Sequence, residues 1–241
     1  MKPKIIVFDI ETAPALAWVW GMWEQNVIEV ERDPFMLSFA YQWLGGKAEV
    51  VALCDFKNYK KDPLNDKELI QKLRDLLDEA DIVLGQNSDK FDIKWFNTRC
   101  VIHKIPPPSS FKTIDTLKLS KKYFSFMSNK LDFVSKRLGH HGKVNVGWSV
   151  WKGCLNGDAG AWRKMKFYNK RDVVETAKVY REYLPWINRI NPVWDRTPCP
   201  ACKSTNTQRR GESVTSKGKC QRFQCRECAK WFHGAKIIGR V

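Results

Sequence analysis

Apolar and polar positions divide the chain into strands and helices before any chemistry is considered. Residues 4–10 (KIIVFDI) form an almost unbroken β-branched and aromatic run that closes on carboxylates, the pattern of a buried strand. Residues 35–44 and 48–53 read as two more strands, and Gly45-Gly46 between them suits a hairpin turn. Across 66–79, Leu69, Ile70, Leu73, Leu76 and Leu77 recur at helical spacing, with Asn65 or Asp66 placed to cap the first turn. A short apolar strand follows at 81–85. A helix follows at 91–100, which Pro106-Pro107-Pro108 prevents from running on. Thr113-Ile114 reads as a brief strand, 131–138 as a helix ended by Gly139, and 159 to about 187 as a long helical stretch. Three antiparallel-type strands followed by alternating strands and helices predict a mixed α/β sheet flanked by helices. The proline-bearing segment 191–198 reads as a linker, giving modules at 1–190 and 198–241.

Composition narrows the class. With 241 residues, 43% hydrophobic and 11 Trp, the chain has enough apolar material for a core and no run long enough to span a membrane. The N-terminal Met1-Lys2-Pro3-Lys4, leading into a run that already carries Asp9, does not read as a secretory leader. The net charge is +16, and half of it falls from Asn191 onward, where eleven Lys and Arg meet three Asp and Glu. A basic balance of this size predicts an acidic partner, nucleic acid above all, against the plainer reading of a merely soluble basic surface.

Carboxylates gather at the ends of predicted elements. In a strand, Asp9 and Glu11 lie two apart and face the same side. Such a pair repels itself unless a cation intervenes. Asp92 falls where the strand at 81–85 passes into a helix, a place where α/β sheets collect ligands; Asp89 or Asp92 as a plain helix cap is the alternative. Tyr168 and Asp172 stand four apart on one helix face, which as an isolated pair is the ordinary surface arrangement. Taken together, these are four acids from three separated segments. Hard oxygen donors without His or Cys suit Mg²⁺ or Mn²⁺, and two such ions about 4 Å apart serve phosphoryl transfer.

Eight cysteines divide unevenly. Cys54, Cys100 and Cys154 are scattered and read as reduced thiols, whereas Cys199-Pro-Ala-Cys202 and Cys225-Arg-Glu-Cys228 form two knuckles 22 residues apart. That pattern points to one structural Zn²⁺ held by Cys199, Cys202, Cys225 and Cys228 rather than to disulfides or a redox pair. Cys220 has poor spacing for a knuckle, and His233 is a weaker substitute ligand. Arg209, Arg210, Lys217, Lys219, Arg222 and Arg226, with Phe223 and Trp231, make this tail a candidate surface for phosphates and stacked bases; a solvated face or a protein-docking module is the alternative.

Three segments carry a family resemblance. FDIET (8–12), GQNSDKFD (85–92) and YNKRD (168–172) resemble, in order, the three motifs of the ribonuclease H-like 3′–5′ exonucleases. The N-x-x-x-F-D form of the second is similar to the proofreading domain of family B DNA polymerases. Phe167 stands where one subclass has His, and Tyr168 where the other has Tyr, so the tyrosine (DEDDy) subclass is implied. The resemblance extends over roughly 4–187. It implies Asp9, Glu11, Asp92 and Asp172 as ligands of two Mg²⁺ or Mn²⁺ ions and Tyr168 as the residue orienting the attacking water. It also implies Asn87 and Phe91 as holding the terminal nucleotides. Thr12, beside the first motif, is a further nucleic-acid candidate, and Lys130, where residues 128–131 most simply start a helix, suits contact with a phosphate. More narrowly, the chain resembles small phage and bacterial proteins that join this domain to a C-terminal zinc ribbon. That implies a cytoplasmic enzyme of a bacterial cell or phage-infected host, acting on DNA, preferably single-stranded, with RNA open as substrate. Replication or recombination proteins are candidate partners of the ribbon, and no membrane is expected. No polymerase module fits in the chain.

Other residues carry two readings. Trp18, Trp20 and Trp23 suit either stacking on an incoming strand or packing over the sheet, and Asp115 suits a supporting role at a strand end. The expectation is a metal-dependent 3′–5′ exonuclease. A structure-specific endonuclease or RNA-directed nuclease on the same site, and a non-catalytic nucleic-acid binder, remain as rivals.

Overall fold

The run that begins at Lys4 becomes the central strand of a five-stranded sheet. The computed structural model describes residues 3–23, 26–142, 146–187, 198–215 and 218–236. Strand β1 (Ile5–Thr12) is followed by a two-stranded ribbon, β2 (Leu16–Trp18) with β3 (Glu29–Arg32), and then by β4 (Met36–Trp43) and β5 (Ala48–Ala52). Helix α1 (Lys67–Asp78), β6 (Ile82–Gly85), α2 (Asp92–His103), β7 (Lys112–Asp115) and α3 (Thr116–Tyr123) come next. After them lie α4 (Leu131–Arg137), α5 (Trp148–Leu155) and α6 (Ala159–Tyr183). The sheet order is β5-β4-β1-β6-β7, antiparallel on the β4–β5 side and parallel through β6 and β7. This is the mixed α/β sheet flanked by helices that the pattern predicts.

Both faces of the sheet are covered, which is why residues 5–8 are apolar on every position. Ile6, Phe8, Ile10 and Phe39 pack with α1 and α2, while Val7, Ala40, Leu84 and Ile114 pack with α3, α4 and the later turns of α6. Alternation along β1 therefore assigns Asp9 and Glu11 to the row of Val7, the side on which α6 lies. Burying one of these large side chains contributes about 1.5–3 kcal/mol, so the position of β1 is strongly specified. Asp66, fully buried, ties three elements together. It accepts the Met36 N–H at 2.7 Å and a two-pronged contact from Arg99 of α2.

Several boundaries differ from the sequence expectation. The long helix stops at Tyr183 and gives way to a 3-10 turn over Leu184–Trp186, because Pro185 supplies no N–H and crowds the carbonyl four residues back. Helices α3 and α5 and the β2–β3 ribbon were not legible in the pattern. Helix α5 sits close against α6: a Cβ on Gly153 would lie 2.5 Å from that of Ala161. Of the expected linker, residues 191–197 fall outside the described residues.

The tail forms a three-stranded antiparallel sheet of β8 (Thr207–Thr215), β9 (Gly218–Cys225) and β10 (Trp231–Lys236), in the order β10-β9-β8. Lys230, almost fully buried, donates from Nζ to the carbonyls of Pro185 at 3.0 Å and Ile187 at 2.6 Å, fastening this sheet to the segment after α6. Burial lowers its ammonium to about 8, against the opposing pull of nearby Cys199 and Cys228. Among the described residues, no helix is long and apolar enough to cross a membrane.

Candidate functional site

Two of the three acidic segments bring their carboxylates together at the end of β1. Carboxylate oxygens of Asp9, Glu11 and Asp172 all lie within 4.8 Å of one another. Asp9 and Glu11 come from the end of β1 and are half-buried; Asp172 comes from the middle of α6 and is buried. Like charges this close disfavour one another in a partly dry site, so the donor set fits a divalent cation. All three groups are carboxylates, which suits hard ions such as Mg²⁺ or Mn²⁺. Asp92 is not one of this trio. It is buried at the first position of α2, and its Oδ1 accepts the N–H of Ile10 at 3.1 Å. Strand β1 runs on past its last pairing with β6, Val7 with Leu84, and Asp92 reaches the backbone between the two β1 acids.

The turn that delivers Asp92 is tightly built. A Cβ on Gly85 would stand 2.6 Å from that of Ser88 and 3.2 Å from the Phe8 carbonyl, so only glycine closes the turn against β1. Asn87 adopts a left-handed φ of 62°, and its N–H is held at 2.9 Å by Asp115, which also caps α3 through the Leu117 N–H. Asp115 thereby fixes the turn after β6 to the start of α3. Phe91 is 40% exposed beside Trp95, at a ring separation of 6.2 Å. Thr12 ends β1, and Lys130 is exposed just before α4.

Two contributors were missed. Asn169, fully buried, donates from Nδ2 to Asp9 Oδ2 at 2.8 Å and to the Asp9 carbonyl at 3.2 Å, while its Oδ1 accepts from Ser38 Oγ at 3.0 Å. Trp151 of α5 meets the Tyr168 ring edge-on at 5.9 Å. A signal for Asn169 did exist: it shares the apolar stripe of α6 with Met165 and Val173, where a polar residue needs partners. Nothing in the sequence pairs Trp151 with Tyr168.

A profile of the RNase_H superfamily matches residues 30–184, well over half of the chain. The chain belongs to the RNase_H superfamily. The match includes Asp92, Tyr168 and Asp172 but begins after Asp9 and Glu11. This RNase_H-superfamily chain is also 33% identical over 76 residues to a DNA polymerase of Methanocaldococcus jannaschii, covering 31% of the chain and 4% of that polymerase. Its fold is similar to that of the family B DNA polymerase from Pyrobaculum calidifontis, with a TM-score of 0.57 at 16% identity over 77% of the chain and 25% of the polymerase. The chain thus spans only a small part of the polymerases it matches.

The cysteine cluster of the tail is equally well formed. Sulfurs of Cys199, Cys202, Cys225 and Cys228 lie within 4.8 Å of one another, with Cys199–Cys228 at 3.5 Å and Cys202–Cys225 at 3.4 Å. A tetrahedral zinc with bonds of about 2.3 Å separates its sulfurs by about 3.8 Å, so the cluster is compatible with a zinc ribbon. The two knuckles turn alike: the residue after each second cysteine, Lys203 and Ala229, is left-handed, with φ of 60° and 57°. Burial raises the thiols of Cys199, Cys202 and Cys228, whereas at Cys225 the N–H groups of Cys228 and Glu227 and neighbouring sulfurs outweigh burial and bring the thiol below its ordinary value. Cys220 and His233 lie outside the group.

The aromatic tail residues separate. Phe223 is half-buried, stacks on Phe232 at 5.5 Å and packs against the cysteines. Trp231 is 41% exposed and carries Arg222 over its ring at 4.6 Å. Arg210 is exposed; the Arg209 and Lys219 side chains and all of Lys217 lie outside the described residues. Trp18, Trp20 and Trp23 do not pack over the sheet: Trp20 is 88% exposed.

Proposed function

We propose that this chain is a metal-dependent 3′–5′ exonuclease of the tyrosine subclass, releasing nucleoside 5′-monophosphates from DNA, preferably single-stranded. The observation that carries the reading is the convergence of Asp9, Glu11 and Asp172 within 4.8 Å on the helix face that also bears Tyr168. Asp9, Glu11, Asp92 and Asp172 hold the cations. When bound, a pair of Mg²⁺ or Mn²⁺ ions supplies an activated water and stabilises charge at phosphorus and at the leaving 3′ oxygen. Tyr168, braced by Trp151, orients the water. Asn87 and Phe91 hold the terminal nucleotides, Phe91 by offering an exposed ring for stacking. Thr12 and Lys130 add contacts along the strand. Similarity to polymerases supports nucleic acid as the substrate, and the net charge of +16 supports the same class.

The tail, 198–241, is in this reading a zinc ribbon on a nuclease module of 1–190, as in the phage and bacterial type. Arg210, Arg222 and Trp231 offer the surface for nucleic acid, or for replication or recombination proteins, in the cytoplasm.

Digestion of end-labelled DNA and RNA oligonucleotides with Mn²⁺ tests the proposal. A ladder receding from the 3′ end of DNA is expected, abolished by Asp9→Ala with binding retained. Internal cuts would replace the proposal by an endonuclease, a preference for RNA would overturn the substrate, and no product would leave a nucleic-acid binder.

A further inference from the structure

We infer that Asn169 is a positioning residue that braces the two halves of the cation site, fixing the Asp9 carboxylate relative to Asp172. The inference rests on the proposed function, since it concerns the same cations.

An amide has one acceptor end and two donor hydrogens. Ser38 lies on β4 directly opposite Glu11, and its hydroxyl donates to Asn169 Oδ1 at 3.0 Å. Asp9 presents only acceptors, a carboxylate and a carbonyl, so Nδ2 faces β1 and Oδ1 is left to the Ser38 hydroxyl, which can donate. Nδ2 then holds both the carboxylate and the backbone carbonyl of Asp9, at 2.8 and 3.2 Å. Asn169 follows Tyr168 and precedes Asp172 by three residues on the same helix. One rigid helix therefore carries a cation ligand, the water-orienting tyrosine and the clamp on the ligand across the gap. The chemistry of the clamp matters. A lysine or arginine here would neutralise Asp9 and compete with the cation, whereas a carboxylate would repel Asp9. A neutral donor fixes one oxygen and leaves the charge for the metal, the usual role of outer-shell partners.

Manganese binding, followed by the loss of the free Mn²⁺ electron paramagnetic resonance signal, tests this alongside the metal-free melting temperature and the kinetics of oligonucleotide hydrolysis. Asn169→Ala is expected to bind Mn²⁺ about 10–100-fold more weakly, with kcat falling and KM for the oligonucleotide nearly unmoved. Ser38→Ala should shift Mn²⁺ binding in the same direction by less. Should Asn169→Ala fail to fold, Asn169→Ser, too short to reach Asp9, carries the same expectation. A folded Asn169 variant with a lower melting temperature but parental Mn²⁺ affinity would make the residue a packing element and overturn the inference. A parent that cleaves DNA while the variants match it removes only this inference. A parent that neither binds Mn²⁺ nor cleaves removes the proposed function and the inference with it.

Discussion

The carboxylate of Asp92 accepts the backbone N–H of Ile10 at 3.1 Å, joining the start of α2 to the stretch of β1 between Asp9 and Glu11. The contact makes Asp92 a structural acceptor, the proposed function also makes it a cation ligand, and two substitutions separate these roles. Asp92→Asn keeps an acceptor oxygen and removes the charge; Asp92→Ala removes both. Asp92→Asn should melt near the parent temperature yet lose more than about a hundredfold in hydrolysis rate, beyond what loss of an outer-shell partner causes. Asp92→Ala should lose activity and also stability, by about 1–3 kcal/mol for the stranded N–H. Thermal melts and initial rates check both, and a fully active Asp92→Asn would remove Asp92 from the site.

The buried pair of Asp66 and Arg99 holds α1, α2 and the start of β4 together, with His103 completing the contacts at 2.5 Å. Removing the cation leaves a carboxylate with no exposed surface and without its main partner. Arg99→Met should therefore destabilise the fold by about 3–5 kcal/mol, read by denaturant melts. A loss below about 1 kcal/mol, the level of exposed pairs, would contradict the role assigned to it.

Much of this arrangement was legible because periodicity and burial agree. Residues 5–8 are apolar on both faces because both faces are covered, and the α1 leucines are all buried. Strand β8, TQRRGESVT, gave no apolar alternation; it is a strand because β9 pairs with it across Thr207 to Thr215. Helix α5 and the β2–β3 ribbon were hidden for a related reason, since aromatic-rich segments carry no clear period. At the site, the motif residues were visible as types at fixed spacing. The Asn169 clamp and the Asp115 hold on Asn87 depend on which strands lie side by side, which local sequence does not state.

Glu175 introduces a pH dependence. It has no exposed side chain; burial pushes its carboxyl up, but the Ser135 hydroxyl, Lys178 and Arg171 together outweigh this and hold it below the usual carboxylate value. A depressed folded-state value means that the charged form stabilises the fold above the unfolded value of about 4.3. That contribution is lost as pH falls through the folded value. Melting temperature measured against pH should fall on the acid side, and Glu175→Gln should lower the plateau near neutrality and flatten that limb. An unchanged acid limb in Glu175→Gln would contradict the assignment.

Lys230 and the cysteine cluster make separable predictions. Purified protein should hold about one zinc per chain, and exhaustive chelation should unfold the tail, read by proteolysis within 198–236. Lys230→Met should retain zinc, because the four cysteines are untouched, yet strand the carbonyls of Pro185 and Ile187 and cost about 1–3 kcal/mol. Zinc content by emission spectrometry, together with melting, checks both. A zinc-free tail that resists protease would contradict the metal assignment, and a parental melt in Lys230→Met would contradict the fastening.

The most direct measurement is diffraction at the manganese absorption edge from crystals soaked in Mn²⁺ with a short, slowly cleaved oligonucleotide. Anomalous peaks are predicted in contact with Asp9, Glu11 and Asp172, with Asp92 completing the shell and the 3′-terminal phosphodiester alongside. Crystals that bind the oligonucleotide but show no manganese among these carboxylates would contradict the nuclease reading.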